Sequence, residues 1–186
     1  MKGADLLGLR YRPPLDYFYS TYGNKQMELT DGGREHVLWC VLAADFVELE
    51  SGTGLVHEAP AFGEVDYALF QQHSARYKNP AEVPLLCPIS PDGKFTAETP
   101  DLEGKWVKDA DHDVIRMLAE HGLLVHRETC RHEYPFCWRA EDDPLIQYAR
   151  PAWFIRTTAC IQDAIRNNEK VRWLPEHIGT GRFGNF

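Results

Sequence analysis

Gly52-Thr53-Gly54-Leu55-Val56-His57-Glu58-Ala59-Pro60-Ala61-Phe62-Gly63-Glu64-Val65-Asp66-Tyr67 joins an apolar segment to an amphipathic one through a kinked loop of small residues. The glycines at 52 and 54 can take left-handed backbone angles, and Pro60 fixes its own φ while pushing Ala59 away from helix, so the chain must turn here. Leu55-Val56-His57 reads as a strand running into the loop. Beyond Gly63, Val65, Ala68, Leu69 and Phe70 recur at helical spacing, with Glu64 and Asp66 in the first turn, where the helix dipole favours carboxylates. The expected product is a strand–loop–helix joint that delivers His57 and Asp66 to one pocket.

Upstream, His36-Val37-Leu38-Trp39-Cys40-Val41-Leu42-Ala43-Ala44 is nearly continuously apolar and Phe46-Val47-Glu48-Leu49-Glu50 alternates, so strands are expected over 36–44 and 46–50. Residues 1–25 are proline-punctuated around Arg12-Pro13-Pro14-Leu15 and read as an extended surface segment, the middle of something rather than a natural domain start. Downstream, Ser90-Pro91-Asp92-Gly93-Lys94 is a turn between Leu85-Leu86-Cys87-Pro88-Ile89 and Phe95-Thr96-Ala97, giving a hairpin. The clearest helix covers 109–122, with acidic residues in its first turn, Val114, Ile115, Met117 and Leu118 on one face and Gly122 as the stop. Strands are expected at 123–126 and 146–149, a proline-and-aromatic loop at 131–139, and a helix over 158–168. Strands interrupted by single helices predict a mixed α/β, sheet- or barrel-centred architecture.

With 186 residues, 44% of them hydrophobic and 12% aromatic, the chain has the material for a real core, so disorder is not expected. No apolar run approaches membrane-spanning length, and five scattered cysteines suit a reducing compartment better than a disulfide framework; a soluble, cytoplasmic protein with free thiols is expected. A net charge of −8 argues against nucleic-acid binding by bulk electrostatics. That average hides an asymmetry: residues 1–126 hold 11 Lys+Arg against 20 Asp+Glu, whereas residues 127–186 hold 9 against 8, and eight of the nine are arginines suited to phosphates. Ordinary surface salt bridges remain the alternative reading.

Among possible chemistries, Cys130, His132 and Cys137 lack the paired C-x-x-C spacing of a zinc site, and no zinc is expected. There is no G-x-S-x-G nucleophile elbow, and Gly52-Thr53-Gly54 precedes a strand and has no lysine, so it is not a phosphate loop. His57 and Asp66 remain. The residues alone leave two readings open: a structural histidine with a helix-capping aspartate, or a rigid pocket wall facing a carboxylate that holds a cation.

The stretch 52–66, together with His132-Glu133-Tyr134-Pro135-Phe136-Cys137-Trp138-Arg139, Trp153-Phe154-Ile155 and Trp173-Leu174-Pro175-Glu176-His177-Ile178, resembles isoleucyl-tRNA synthetase. The motifs fall in the family's order, in its inserted editing domain and the return towards the catalytic core. Valyl- and leucyl-tRNA synthetases share that domain, but Phe62 in Pro60-Ala61-Phe62-Gly63 and the run 132–139 point to the isoleucine enzyme. The resemblance implies an α/β, β-barrel-like editing domain with a few helices over residues 1–150, incomplete here, and a segment 151–186 leading back to the core.

It also implies hydrolysis of the ester of mischarged valyl-tRNA within an ATP-dependent isoleucine–tRNA ligase. A single missing methylene discriminates weakly, which is why a second, size-excluding site is needed; isoleucyl-tRNA synthetase is itself the standing example of that argument. By resemblance, Asp66 receives the substrate α-ammonium, His57 lines the side-chain pocket, and Gly54, Ala61 and Phe62 belong to the substrate-binding surroundings. Editing requires no cofactor, ATP serves the parent ligase, and the implied partners are tRNA for isoleucine, its valylated form and the rest of the synthetase. A positioned water attacks, so orientation and oxyanion stabilisation carry the rate.

Two departures from the family pattern stand out. The threonine-rich strand that forms the other pocket wall is not in this chain, since Arg156-Thr157-Thr158 lies on the wrong side, and Ala140 stands where some members have a second cysteine near Trp138. Half a pocket is therefore expected, with an open sheet edge that invites pairing with another copy. The alternative is a tRNA-binding or structural segment without hydrolytic activity of its own.

Overall fold

The computed structural model describes residues 2–48, 52–129 and 131–184. They fall into two compact units, Met1–Ala149 and Arg150–Phe186. The architecture is mixed α/β, with short strands in two two-stranded antiparallel sheets and no closed barrel among the described residues.

In the first unit, helix α1 (Tyr19–Tyr22) is followed by strands β1 (Gln26–Glu28) and β2 (Arg34–His36), paired with Met27 opposite Glu35. Their turn is built by Asp31, whose carboxylate accepts the Gly33 N–H at 2.9 Å, and by Gly32 at φ 93°, an angle suited to glycine. Met27, Leu29 and Val37 from this hairpin close on Tyr77 and Val83, with Leu38 and Phe70 packed alongside. Helix α2 (Glu64–Ser74) supplies Phe70 and leads directly to Tyr77. A second cluster joins Leu102, Ala110 and Met117 to Leu15, Tyr17, Phe95 and Val114. It is organised by helix α3 (Asp111–Glu120), which a 3₁₀ turn at Val107–Asp109 introduces and Gly122 at φ 68° ends. Tyr17 reaches from this cluster to donate to Asp101 at 2.9 Å, and burial, reinforced by that carboxylate, pushes its pKa up to about 12. Strands β3 (Phe136–Cys137) and β4 (Ala140–Pro144) form the second sheet.

The helices expected beyond Gly63 and over 109–122 are present. So is the turn at 90–94, where Ser90 N–H donates to the Lys94 carbonyl at 2.8 Å and Ile89 bridges Phe95. The expected strands differ. Of 36–44, only His36 belongs to a strand, and Cys40 makes a single bridge to Arg10, because Trp39 takes φ 54° and breaks the extended run. Residues 46–48 form no ladder, and Glu50 and Leu49 lie outside the described residues.

Residues 55–57 are not a strand either. Gly52 at φ 64° and Gly54 at φ 73° turn the chain just before them, and Leu55 and Val56 stand half exposed with no partner strand. Residues 123–126 and 146–149 also form no strand, and Val125 is fully exposed. The expected loop at 131–139 instead carries β3. Residues 2–25 are extended around Pro13 and Pro14 but also hold a 3₁₀ turn at Gly3–Leu6 and α1.

In the second unit, a 3₁₀ turn at Thr157–Cys160 precedes helix α4 (Ile161–Asn168), close to the expected helix, and helix α5 (His177–Thr180) follows. Trp173 ties the unit together. Its indole N–H donates to Asn168 Oδ1 at 2.9 Å, its ring stacks on Phe183 at 4.7 Å, and Gly179 leaves room for it. Asn168 in turn donates to the Gly179 carbonyl at 3.1 Å.

Candidate functional site

The loop from His57 to Gly63 is closed by backbone bonds to itself and to α2. The Ala59 carbonyl accepts from the N–H groups of Phe62 at 2.8 Å and Gly63 at 3.1 Å, making a tight turn around Pro60. Ala61, 3% exposed, is pinned through its carbonyl by the Ala149 N–H at 2.6 Å. Helix α2 then starts with Gly63 as its N-cap, at an extended φ of −128°. Asp66, in the first turn, bends back so that its Oδ2 accepts the Ala59 N–H at 2.9 Å. A carboxylate here answers both the helix dipole and an otherwise unpaired loop donor.

Of the residues expected at the site, Asp66 is half-buried and fixed, Ala61 is buried, and Phe62 is half-buried in the turn. Gly54 is half-buried at the preceding turn, and His57 is exposed. Among the described residues no hydrogen bond joins His57 to Asp66. Two grooves are lined by other residues: one of about 230 Å³ involves Glu28, Arg34 and Lys78, and one of about 640 Å³ in the second unit involves Trp173 and His177. Neither is lined by His57 or Asp66. This segment offers a carboxylate anchored at a helix head, with an exposed histidine at the entry to its loop. Of the metal candidates, Cys130 lies outside the described residues, His132 is exposed and Cys137 is a free thiol, as are Cys40, Cys87 and Cys160.

Sequence reasoning passed over Glu58. Its Oε2 is buried without a hydrogen-bond partner, and its pKa is raised, first by burial and then by the neighbouring Asp66 charge. Because the folded state disfavours ionised Glu58, its stabilising contribution is complete below the ordinary value of 4.5 and is lost as pH rises through the raised pKa. Glu58→Gln is accordingly expected to raise Tm at pH 7 by about 1–2 °C, a small effect because solvent screens a half-buried carboxyl, and to leave it unchanged near pH 4. Thermal scans at the two pH values check this.

No protein-family model matches the chain. Curated relatives do: an isoleucine–tRNA ligase of Bacillus thuringiensis (strain Al Hakam) is 42% identical over 185 residues, all of this chain. That of Chlamydia pneumoniae is 39% identical over 184 residues, and that of Dehalococcoides mccartyi 40% identical over 186, each covering 99% of this chain. The chain belongs to the isoleucine–tRNA ligase family. It spans 16–17% of the length of these ligases, so the match is to one segment of them. The alignment runs through the 52–67 loop and both structural units. No described helix is long and apolar enough to cross a membrane.

Proposed function

We propose that this chain is part of the inserted editing domain of an isoleucyl-tRNA synthetase, and that it contributes the ammonium-binding half of a site hydrolysing mischarged valyl-tRNA. The observation that carries the reading is the Asp66 carboxylate, locked by the Ala59 N–H at the head of α2 in a chain that matches isoleucine–tRNA ligases end to end. A fixed carboxylate beside an open loop suits an α-ammonium group, and a charge-assisted contact of that kind gives orientation as well as affinity. His57 stands exposed at the entry to the same loop, where an imidazole would limit the size of the acyl side chain. Strands from the rest of the synthetase would supply the opposite wall and complete a β-barrel-like domain. Hydrolysis by a positioned water needs no cofactor from these residues, while ATP belongs to the ligase reaction.

The second unit fits a return towards the rest of the enzyme. Trp153, Phe154 and Ile155 are almost fully exposed, with Ile161 and Ile165 of α4 beside them in sequence and also exposed, and such an apolar run suits a protein partner. Its exposed arginines favour a second reading, in which the segment only binds tRNA. Arg150, Arg156, Arg172 and Arg182 carry no carboxylate partner among the described residues.

The two readings separate by the acyl group. The full-length synthetase carrying this segment is expected to deacylate valyl-tRNA and spare isoleucyl-tRNA. His57→Ala is expected to speed hydrolysis of the isoleucyl ester by about 10- to 200-fold, the range a one-methylene discrimination spans. Salt-sensitive tRNA retention with no ester hydrolysis would favour the binding-only reading.

A further inference from the structure

Gly63 has no conformational reason to be glycine. Its φ of −128° and ψ of 137° are open to any residue, and an N-cap more often carries a polar side chain. The space around it gives another reason. A Cβ built on Gly63 would lie 2.8 Å from Asp66 Oδ2, 3.0 Å from Asp66 Cγ and 3.4 Å from Oδ1. The nearest atoms to that missing methyl are thus all on the Asp66 carboxylate, and Oδ2 is the atom that accepts the Ala59 N–H.

We infer that Gly63 is a positioning residue: its missing side chain leaves the clearance in which Asp66 swings back onto Ala59, and this fixes the direction in which the carboxylate meets an ammonium-bearing substrate. The inference rests on the editing function proposed above for Asp66. A β-carbon at position 63 requires the carboxylate to shift, since real Cβ contacts stay beyond 3.0 Å, and that shift weakens the Ala59 bond. The backbone itself accommodates alanine, so the damage is confined to the Asp66 rotamer. Glu58 adds to the consequence. Its buried Oε2 neighbours the Asp66 charge, so a displaced Asp66 also alters the field around the orphaned carboxyl.

The test compares Gly63→Ala, Asp66→Ala and Asp66→Asn with wild type in the full-length synthetase, using two readouts. Amide hydrogen exchange at Ala59 is expected to speed up by about five- to tenfold in Gly63→Ala and Asp66→Ala and to stay near wild type in Asp66→Asn, whose side-chain oxygen still accepts the bond. Deacylation of valyl-tRNA by Gly63→Ala is expected to fall about tenfold or more in kcat/KM, with no loss on the ester of the α-hydroxy analogue, which has no ammonium to orient. Unchanged Ala59 exchange in Gly63→Ala, or equal loss on both esters, overturns the role of Gly63. If wild type hydrolyses neither ester, the editing reading fails and Ala59 exchange still decides whether Gly63 sets the Asp66 rotamer. Circular dichroism of Gly63→Ala, with the helical signal retained, separates a moved carboxylate from a melted α2.

Discussion

Asp66→Ala is expected to lower kcat/KM for valyl-tRNA hydrolysis in the full-length synthetase by roughly two to three orders of magnitude, within the span of about 2–5 kcal/mol that goes with losing one partner of a desolvated charge pair. The geometry gives Asp66 two tasks, and they can be separated. One is structural: Oδ2 accepts the Ala59 N–H and so holds the turn around Pro60 against α2. The other is the proposed contact with the α-ammonium. Asp66→Asn preserves an acceptor for Ala59 but removes the charge. If the contact with substrate is what matters, Asn is nearly as damaging as Ala; if the staple is what matters, Asn is nearly wild type. Steady-state deacylation assays on the three proteins distinguish the cases.

Tyr77→Ala is expected to destabilise the first unit by about 3–5 kcal/mol, the range for removing a large buried aromatic. Among the described residues Tyr77 is the largest fully buried side chain, 1% exposed, and it is the point where β1, Val37, Val83 and the end of α2 meet. Its backbone bridges Leu29, its hydroxyl donates to the His36 carbonyl at 3.3 Å, and His73 packs edge-on at 5.5 Å. Burial also holds the phenol neutral, with its pKa pushed up to about 12. Truncation leaves a cavity lined by Met27, Leu29, Val37 and Val83 that a hairpin this short cannot close. Tyr77→Phe, which loses only a long hydrogen bond, is expected to cost no more than about 1 kcal/mol. Urea denaturation followed at the first unit reads both. Since a domain's whole margin is about 5–15 kcal/mol, the alanine variant stands near the edge of folding.

The helices were legible in the sequence because their signals are local. α2, α3 and α4 each show an apolar recurrence at helical spacing and carry an acidic residue in the first turn. The turn at 90–94 was legible for the same reason, since Pro91, Asp92 and Gly93 each force their part of it.

Strands were poorly legible, because a ladder is a property of two segments. The apolar run 36–44 has strand composition throughout, yet a single positive φ at Trp39 ends it, and Val37 faces the core from a loop instead. Asp31-Gly32-Gly33 carries a turn signal for the β1–β2 hairpin, but the flanking strands are only three residues long, too short for an alternation to stand out. At the site, the position of Asp66 at a helix head could be read from spacing. Its partner could not, being a backbone N–H brought close by the Pro60 turn. Glu58 was invisible for a similar reason: one glutamate in a loop looks solvated until folding buries an oxygen beside another carboxylate.

In the proposed function the Asp66 charge recognises the ammonium of a misattached amino acid. The most direct measurement is a two-by-two comparison in the full-length synthetase, setting wild type and Asp66→Asn against valyl-tRNA and the tRNA ester of the corresponding α-hydroxy acid. Wild type is expected to prefer the amino ester strongly, and Asp66→Asn to erase the preference by losing the amino ester alone. An equal loss on both esters, or an unchanged preference, would contradict it.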